Sequence, residues 1–405
     1  MKKNINKFLI YYFSTLLIFG IFYLYEKHNV GNDSTISEWI INYSGGFTKR
    51  GIIGQLSIYL ADALAITLRE SILIFQIFIL TIYFVSLYYF FKDTKVNKLI
   101  ILCIFTPIFI LYPIAEIEVL ARKEIFIFCI FLLYLNIENN LSRILYKITF
   151  LPLAILIWEP AIFFLPFWLS LDLINDKILK PNLKLLENVA TYIPTVFIAI
   201  FIALNPMTLE NHDAMAFFLK SNFNETCYMS CSLLKSKSTI YDQFASNYPG
   251  YSFTVFLRYF LVILIGFGPF FILNNYSKII SNKIIFFNNF NNFLKPILIL
   301  LSPALILFVM GSDWGRWVNI SYTFVILFYF NLYKKNIVKF DKKLLKNPLV
   351  MFLEKKNVFI IFFIIFCLGW NPKTTYTGDV GSKPGYQIPR KAIKIIYYKY
   401  IKNNY

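Results

Sequence analysis

The chain has 405 residues, of which 58% are hydrophobic and 15% are charged, and its formal net charge is +18. This balance is typical of a polytopic membrane protein and excludes an ordinary soluble enzyme. A basic chain could bind nucleic acid, but in a membrane protein basic residues first report orientation, so we expect no nucleic-acid partner.

Apolar runs predict an all-α, polytopic membrane bundle of about eleven transmembrane helices. The runs cover residues 8–25, 71–91, 99–114, 125–137, 146–158, 161–173, 188–204, 254–274, 296–310, 318–333 and 357–370. The first run lacks a small-residue cleavage site and predicts a retained span. With the N-terminus cytoplasmic, basic residues outnumber acidic ones in the cytoplasmic segments, most clearly at 334–356. The positive-inside bias therefore favours this topology.

One span boundary decides the orientation of every later loop. Residues 148–173 could form one long helix with Glu159 at its middle, but an unpaired buried glutamate is costly in lipid. Pro160 favours a break and a hairpin of two short helices. The predicted organisation is then a transmembrane domain, 1–370, with outer loops 26–70 and 205–253 and a basic outer tail, 371–405.

The outer loops contain few candidates for metal or disulfide chemistry. Cys227 and Cys231 lie in the large loop, where an oxidising compartment would allow a disulfide. The whole chain has only two histidines, so we expect no metal and no cofactor. The tail is predicted to lie on the outer leaflet, with a disordered tail as the alternative.

The first outer loop contains the stretch "NYSGGFTKRGIIG". Gly45 and Gly46 allow backbone N–H groups to approach an anion closely, and Lys49 and Arg50 add positive charge. Together with Tyr43 they predict a phosphate- or diphosphate-binding segment. The alternative is a turn into an interfacial helix whose basic residues meet lipid phosphates.

The second outer loop, "AEIEVLARKEIF", is densely charged. Glu118 and Arg122 are four residues apart and are predicted to pair along a helix. Glu116, Lys123 and Glu124 complete a charged group at the edge of the bilayer, where such groups tend to mark a site. Arg122 can bind two phosphate oxygens at once. The alternative is a salt-bridged helix cap.

Two further outer segments carry candidate residues. In "WEP", Glu159 is predicted to be a general base, because partial burial should move its pKa toward neutrality; the alternative is a helix cap. In "GSDWGRW", Asp313 and Arg316 are predicted to pair, and Trp314 and Trp317 to stack on sugar rings. The alternative there is an interfacial aromatic belt.

The segments "GGFTKRG", "LARKE", "WEP" and "DWGRW", with about eleven spans and a large later loop, resemble the Wzy-type O-antigen and capsule polymerases. The resemblance implies a GT-C-like fold in the bacterial inner membrane and an undecaprenyl-diphosphate-linked glycan as substrate. It also implies that Arg50, Arg122 and Arg316 bind the diphosphate, and that Glu159 or Asp313 is the base. A chain-length regulator and a flippase are the partner proteins that such an enzyme could have.

Two other functions stay open at this point. A GT-C glycosyltransferase with a polyprenyl-monophosphate sugar donor would carry a catalytic acid in the first outer loop, where Asp33 or Glu38 could serve. A flippase or transporter would place ionisable residues along a path through the helices. The predicted span interiors are almost free of charge, which favours an outward-facing enzyme over a transporter.

Overall fold

The computed structural model describes residues 2–92, 94–176, 183–235, 239–279, 293–340 and 347–402. Nearly all regular structure in these ranges is helical, which confirms the predicted all-α class. Residues 236–238 of the predicted large loop and 403–405 of the predicted tail lie outside the described residues.

Twenty-one α-helices follow one another along the described chain. They are α1 Lys2–Lys27, α2 Ser34–Ser37, α3 Gly51–Leu64, α4 Leu68–Phe91, α5 Lys98–Phe105, α6 Tyr112–Ala115, α7 Glu124–Leu135, α8 Asn140–Ile157, α9 Leu165–Asn175, α10 Leu183–Ala190, α11 Ile193–Leu204, α12 Leu209–Phe223, α13 Ile240–Asn247, α14 Phe253–Gly266, α15 Gly268–Asn275, α16 Leu294–Leu301, α17 Leu305–Met310, α18 Trp314–Lys334, α19 Pro348–Leu353, α20 Lys356–Leu368 and α21 Pro384–Ile396. Two short strands, β1 Ser277–Ile279 and β2 Val338–Phe340, pair antiparallel with Ser277 opposite Phe340.

The predicted eleven membrane spans are not confirmed. Among the described residues, three helices, α1, α4 and α8, are long and apolar enough to cross a membrane. Two bent pairs, α10 with α11 (41°) and α13 with α14 (100°), raise the number to five if each pair is one span. Helices occur in every predicted run, but most are short or broken, as at Phe267 between α14 and α15, two residues before Pro269. Proline lacks the N–H that would continue a helix, so an unbroken apolar run overstates helix length.

Helix α18 is the most deeply buried helix of the described chain. Every residue from Trp314 to Leu332 is buried. Two of its polar side chains are bonded to neighbouring backbone: Asn319 donates to the carbonyl oxygen of Ile108 (2.8 Å), and Tyr322 to that of Cys103 (2.7 Å). These bonds compensate part of the cost of burying polar groups, so α18 can sit inside the bundle as its packing centre.

The predicted break before α9 is confirmed. The chain leaves the helical conformation at Trp158 (φ −156°, ψ 96°), and a 3₁₀ turn follows before α9 begins. Lys147 of α8 contacts Asp172 of α9 at 2.8 Å, and Arg143 of α8 contacts Asp176, the residue that follows α9. Earlier residues of α8 thus meet later residues of α9, which makes the two helices an antiparallel hairpin.

Contacts between loops divide the bundle into two ends. At one end, Arg69 pairs with Glu225 in the large loop. At the other end, β1 pairs with β2, and Lys335 donates to Asn175 (2.9 Å). We call the first the arginine end, with residues 28–50, 116–124, 158–159, 205–235, 239–253, 311–317 and 371–383. We call the second the lysine end, with residues 92, 94–98, 138–147, 171–176 and 334–340.

The predicted tail is folded onto the arginine end. The N–H of Gly315 donates to the carbonyl oxygen of Thr374 (3.0 Å), and the N–H of Tyr376 donates to that of Ser312 (2.8 Å). Helix α21 packs against α1. The described part of the tail therefore packs on the bundle. The disulfide that the sequence allows between Cys227 and Cys231 is formed.

Candidate functional site

Charged side chains from five separate stretches of chain converge at the arginine end. We call this group the arginine cluster, and its members are Glu38, Lys49, Arg50, Arg122, Lys123, Glu124, Glu159, Asp313 and Arg316. Local structure places them at helix boundaries, where a polar side chain can leave the apolar bundle. Glu38 follows α2, Arg50 precedes α3, and Glu124 opens α7.

Glu38 lies at the centre of the arginine cluster and is fully buried. Its Oε1 accepts a hydrogen bond from Arg122 and lies 3.5 Å from Nη1 of Arg50 and 3.7 Å from Nη2 of Arg316. Burial raises the pKa of Glu38, but the charges of the three arginines outweigh it and hold that pKa well below its usual range. Glu38 is therefore an ionised counter-ion for three arginines, a poor arrangement for the catalytic acid that was predicted there.

Two arginines of the cluster make bidentate pairs with glutamates. Arg50 donates from Nε and Nη2 to Glu159 at 2.6 and 2.8 Å, and Arg316 donates from Nε and Nη2 to Glu124 at 2.7 Å each. Arg316 also reaches Asp313 at 3.2 Å, so the predicted Asp313–Arg316 pair is present. Sequence reasoning missed that Glu124 holds Arg316, because 192 positions separate them.

Arg122 is the least saturated arginine of the cluster. It bonds Glu38 through Nη2 and lies 3.5 Å from Asp313 through Nη1, while its buried Nε has no partner among the described residues. The predicted pair with Glu118 is wrong. Residues 117–119 form a 3₁₀ turn and Ala121 has φ 51°, so no continuous helix brings Glu118 and Arg122 onto one face. Glu118 is instead exposed.

Lys123 is buried beside Arg50. Its Nζ donates to the main-chain carbonyl oxygen of Arg50, a residue with a left-handed backbone (φ 63°). Burial lowers the pKa of Lys123 to about 7, against the opposing effect of Glu38 and Glu159. Lys123 therefore supports the backbone of Arg50 and changes its charge near neutral pH.

The predicted pKa of Glu159 is wrong in direction. Burial alone would raise it, as expected, but the charges of Arg50 and Lys49 lower it to about 2. Lys49 places its Nζ 3.4 Å from Oε1 of Glu159. While it is bound to these two cations, Glu159 is a weak base.

The tryptophans divide into two groups. Trp317 and Trp158 flank the guanidinium of Arg316, with ring centroids 5.0 and 5.9 Å from it, and both buried indole N–H groups lack a partner among the described residues. Trp314 is buried among other aromatic rings and donates to the carbonyl oxygen of Phe308 (2.8 Å). The predicted sugar-stacking role does not fit Trp314, and buried rings do not form an interfacial belt.

The glycine pair serves packing. A Cβ on Gly45 would lie 1.9 Å from the carbonyl oxygen of Asn211 in α12, and Gly46 has φ 109°. The N–H of Gly46 donates to the carbonyl oxygen of Tyr43 (2.9 Å), and the ring of Tyr43 stacks on Phe47. The predicted role of the glycines in holding an anion is thus replaced by close contact with α12. Tyr43 belongs to the same packed turn.

Exposure divides the cluster into a rim and an interior. The side chains of Lys49, Glu159, Asp313 and Arg50 are 43%, 23%, 23% and 19% exposed. Those of Arg316 and Glu124 are 4% and 7% exposed. A ligand can approach at the rim, while the interior holds the rim in place. Asp33 lies elsewhere: it caps α2 through the N–H of Thr35 and pairs with Lys27.

A second buried polar group lies at the lysine end, where the predicted segments looked chemically plain. We call it the Asp172 cluster: Tyr134, Arg143, Lys147, Asp172, Asp176, Asn188 and Tyr192. Asp172 accepts hydrogen bonds from Tyr134, Tyr192 (2.6 Å) and Lys147 (2.8 Å). The sequence contains a signal for this cluster. Lys147 and Asp172 lie at similar distances along the chain before and after the break at Trp158, so a hairpin brings them together.

No group of three or more histidine, cysteine or acidic side chains suited to a metal ion occurs within the described ranges. Comparisons with protein-family models, curated proteins and solved structures found no match. What the site does therefore has to follow from its own chemistry.

Proposed function

We propose that the protein is a membrane glycosyltransferase that polymerises undecaprenyl-diphosphate-linked repeat units, with the arginine cluster binding the diphosphate. One observation carries the proposal. Arginines from three distant stretches converge on one buried carboxylate, and Arg122 keeps a buried N–H without a partner among the described residues. Arginine is the side chain best suited to bind phosphate oxygens in pairs.

The proposed reaction uses the rim of the cluster. The acceptor hydroxyl oxygen forms a bond to the anomeric carbon of the donor sugar, and the bond from that carbon to the diphosphate oxygen breaks. The electron pair leaves with the diphosphate, whose charge Arg50, Arg122 and Lys49 neutralise. The hydroxyl proton goes to a rim carboxylate, Glu159 or Asp313.

The interior of the cluster has a supporting part in this proposal. The side chain of Arg316 is almost fully buried, and two of its guanidinium N–H groups donate to Glu124. We therefore assign Arg316 to positioning Asp313 and Trp317 and not to binding the diphosphate. Glu38 holds the three arginines together. This differs from the role of Arg316 that the family resemblance implied.

A transporter of lipid-linked glycans is the second candidate, and one observation favours it. The Asp172 cluster puts buried ionisable residues at the lysine end, which weakens the expectation of charge-free interiors. However, α18 runs between the two ends with Trp314 to Leu332 buried, and it carries no aspartate, glutamate, histidine, lysine or arginine between Arg316 and Lys334. A monophosphate-sugar transferase is less well supported, because Glu38 is fully buried.

Complementation of a deletion strain tests the function. The chromosomal gene is deleted, and wild type, Arg50→Gln, Arg122→Gln or Asp313→Asn is restored, with membrane expression measured for each. Arg69→Gln is the matched control, because Arg69 makes a bidentate pair with Glu225 at the same end, outside the arginine cluster.

The surface glycan is then resolved on a gel. The proposal predicts a ladder with wild type and Arg69→Gln, and a single repeat unit with the deletion and the cluster variants. Loss of even the single unit in the deletion would contradict a polymerase and support an earlier transferase or a transporter. A full ladder from well-expressed cluster variants would remove the proposed site.

A further inference from the structure

We propose that Glu159 occupies the phosphate-binding side of Arg50 until a diphosphate displaces it, and that this displacement releases Glu159 to act as the base. The inference rests on the proposed function for the nature of the ligand. It also decides between the two rim carboxylates that the proposed reaction leaves open.

The geometry of the Arg50–Glu159 pair is the first argument. Two N–H groups of Arg50 bind the two carboxylate oxygens of Glu159 at 2.6 and 2.8 Å. Two oxygens of a phosphate group can accept hydrogen bonds from the same two N–H groups of an arginine, in the same bidentate geometry. A diphosphate that reaches Arg50 must therefore compete with Glu159 for the same two donors.

The Arg50–Glu159 pair is also more exposed to solvent than the Arg316–Glu124 pair. The Arg316–Glu124 pair has the same bidentate form, but both of its side chains are nearly inaccessible. Arg50 and Glu159 are each about one-fifth exposed. Exchange of a carboxylate for a phosphate is thus possible at Arg50 and blocked at Arg316.

The position of Glu159 in the chain is the third argument. It stands at the first position of a 3₁₀ turn, directly after the extended residue Trp158, and so lies outside the rigid part of α8. Lys49, which is more exposed still, lies 3.4 Å from Oε1 of Glu159 and offers the incoming anion a second cation. Glu159 can leave Arg50 by rotating its side chain, without movement of a helix.

Displacement would change the chemistry of Glu159. The carboxylate is a poor base while Arg50 and Lys49 lower its pKa to about 2. Once the diphosphate has taken those cations, the pKa rises toward the ordinary value for glutamate. Only then can the carboxylate accept the proton of the acceptor hydroxyl, so the base becomes active when the donor is bound.

Calorimetric titration with inorganic pyrophosphate tests the displacement. The full chain is purified in detergent as wild type, Glu159→Gln, Glu159→Ala and the double variant Arg50→Gln/Glu159→Gln, each checked for a single gel-filtration peak. If the pair is closed about nine-tenths of the time, removal of Glu159 should tighten pyrophosphate binding about tenfold. The double variant should lose this gain. Glu225→Gln, which removes the same charge from the Arg69 pair, should bind like wild type.

The outcomes separate the two proposals. Equal or weaker binding by both Glu159 variants would overturn the displacement and leave the diphosphate site standing. If Glu225→Gln tightened pyrophosphate binding by the same factor, the change in net charge alone would explain the effect. That result would also overturn the displacement. If neither wild type nor any variant binds pyrophosphate, the diphosphate site itself fails, and the displacement with it.

Discussion

The two buried charge clusters of this protein are built on opposite plans. The arginine cluster has five basic and four acidic side chains and a rim open to ligands. Buried arginine N–H groups without a described hydrogen-bond partner occur in both clusters, at Nε of Arg122 and at Nε and Nη1 of Arg143. The Asp172 cluster has two basic and two acidic side chains, and two tyrosine hydroxyls and an asparagine complete it. Its Asp172 is fully buried and accepts three hydrogen bonds.

The difference between the clusters indicates a division of work. A balanced, closed cluster fits the joining of helices, because each buried charge already has its counter-charge. A cluster with an excess of basic side chains and an open rim fits the binding of an anion. Helices α7, α8 and α18 run from one cluster region to the other, so the closed cluster can fix the helices that position the open one.

The largest expected effect is at the Asp172 cluster. Asp172→Leu leaves Lys147 buried without its carboxylate and removes the acceptor of the Tyr134 and Tyr192 hydroxyls, while Arg143 keeps Asp176. We expect a loss of about 3–5 kcal/mol in the free energy of unfolding. The double variant Lys147→Met/Asp172→Leu should recover most of that loss, because it removes the charge pair together. Unfolding in mixed micelles measures both. A single variant as stable as wild type would break the comparison between the clusters.

A smaller effect is expected where the loop that carries Arg50 packs on α12. Gly45→Ala would push a methyl group into the backbone of Asn211, so we expect a loss of about 1–3 kcal/mol in unfolding free energy. Gly31→Ala is the matched control, since no atom lies within 4 Å of a Cβ built there. Melting temperatures of the two variants decide the matter, and equal values would show that the loop does not depend on this close contact.

The smallest effect, when it is compared over one pH unit, is a change in pH dependence caused by Lys123, about 1.4 kcal/mol per unit. Its pKa is about 7 in the folded chain, because burial lowers it, and about 10.4 in an unfolded chain. Between these values the unfolded chain binds more protons, so the Lys123 contribution makes stability rise with pH from about 7 to about 10. Below about pH 7 both states carry the proton, and this contribution no longer changes with pH.

Lys123→Met tests this contribution because it removes the amine and keeps the length of the side chain. The variant should show a flatter melting temperature between pH 7 and 10 than wild type. The Lys147→Met/Asp172→Leu variant should keep the wild-type slope. A slope that Lys123→Met leaves unchanged would show that Lys123 does not titrate in this range.

Much of the fold follows from apolar run length, but not the number of spans. The runs of α1 and α4 are long and free of breaks, and both are found as expected. The run of α18 also predicted a span, yet its aromatic and polar residues are packed on all sides. Hydropathy reports which residues avoid water and does not tell a lipid neighbour from a protein neighbour.

The candidate site was predictable in its members and not in its pairs. Lys49, Arg50, Arg122, Glu159, Asp313 and Arg316 stand out in the sequence because they interrupt apolar runs. Their partners do not, since the contact from Arg122 to Glu38 spans 84 positions and that from Arg50 to Glu159 spans 109. The predicted direction of the Glu159 pKa shift was wrong for this reason. The sequence indicates the burial of Glu159, but it does not show that Arg50 lies beside it.

The most direct test of the proposed diphosphate site is native mass spectrometry of the full chain in nanodiscs with farnesyl diphosphate and farnesol. The account predicts that wild type retains the diphosphate in preference to the alcohol. Arg122→Gln should bind it at least tenfold more weakly, since a hydrogen bond to a charged group contributes about 1.5–3 kcal/mol. Arg143→Gln, in the Asp172 cluster, should bind like wild type. Equal retention of diphosphate and alcohol, or loss of binding in Arg143→Gln but not in Arg122→Gln, would contradict it.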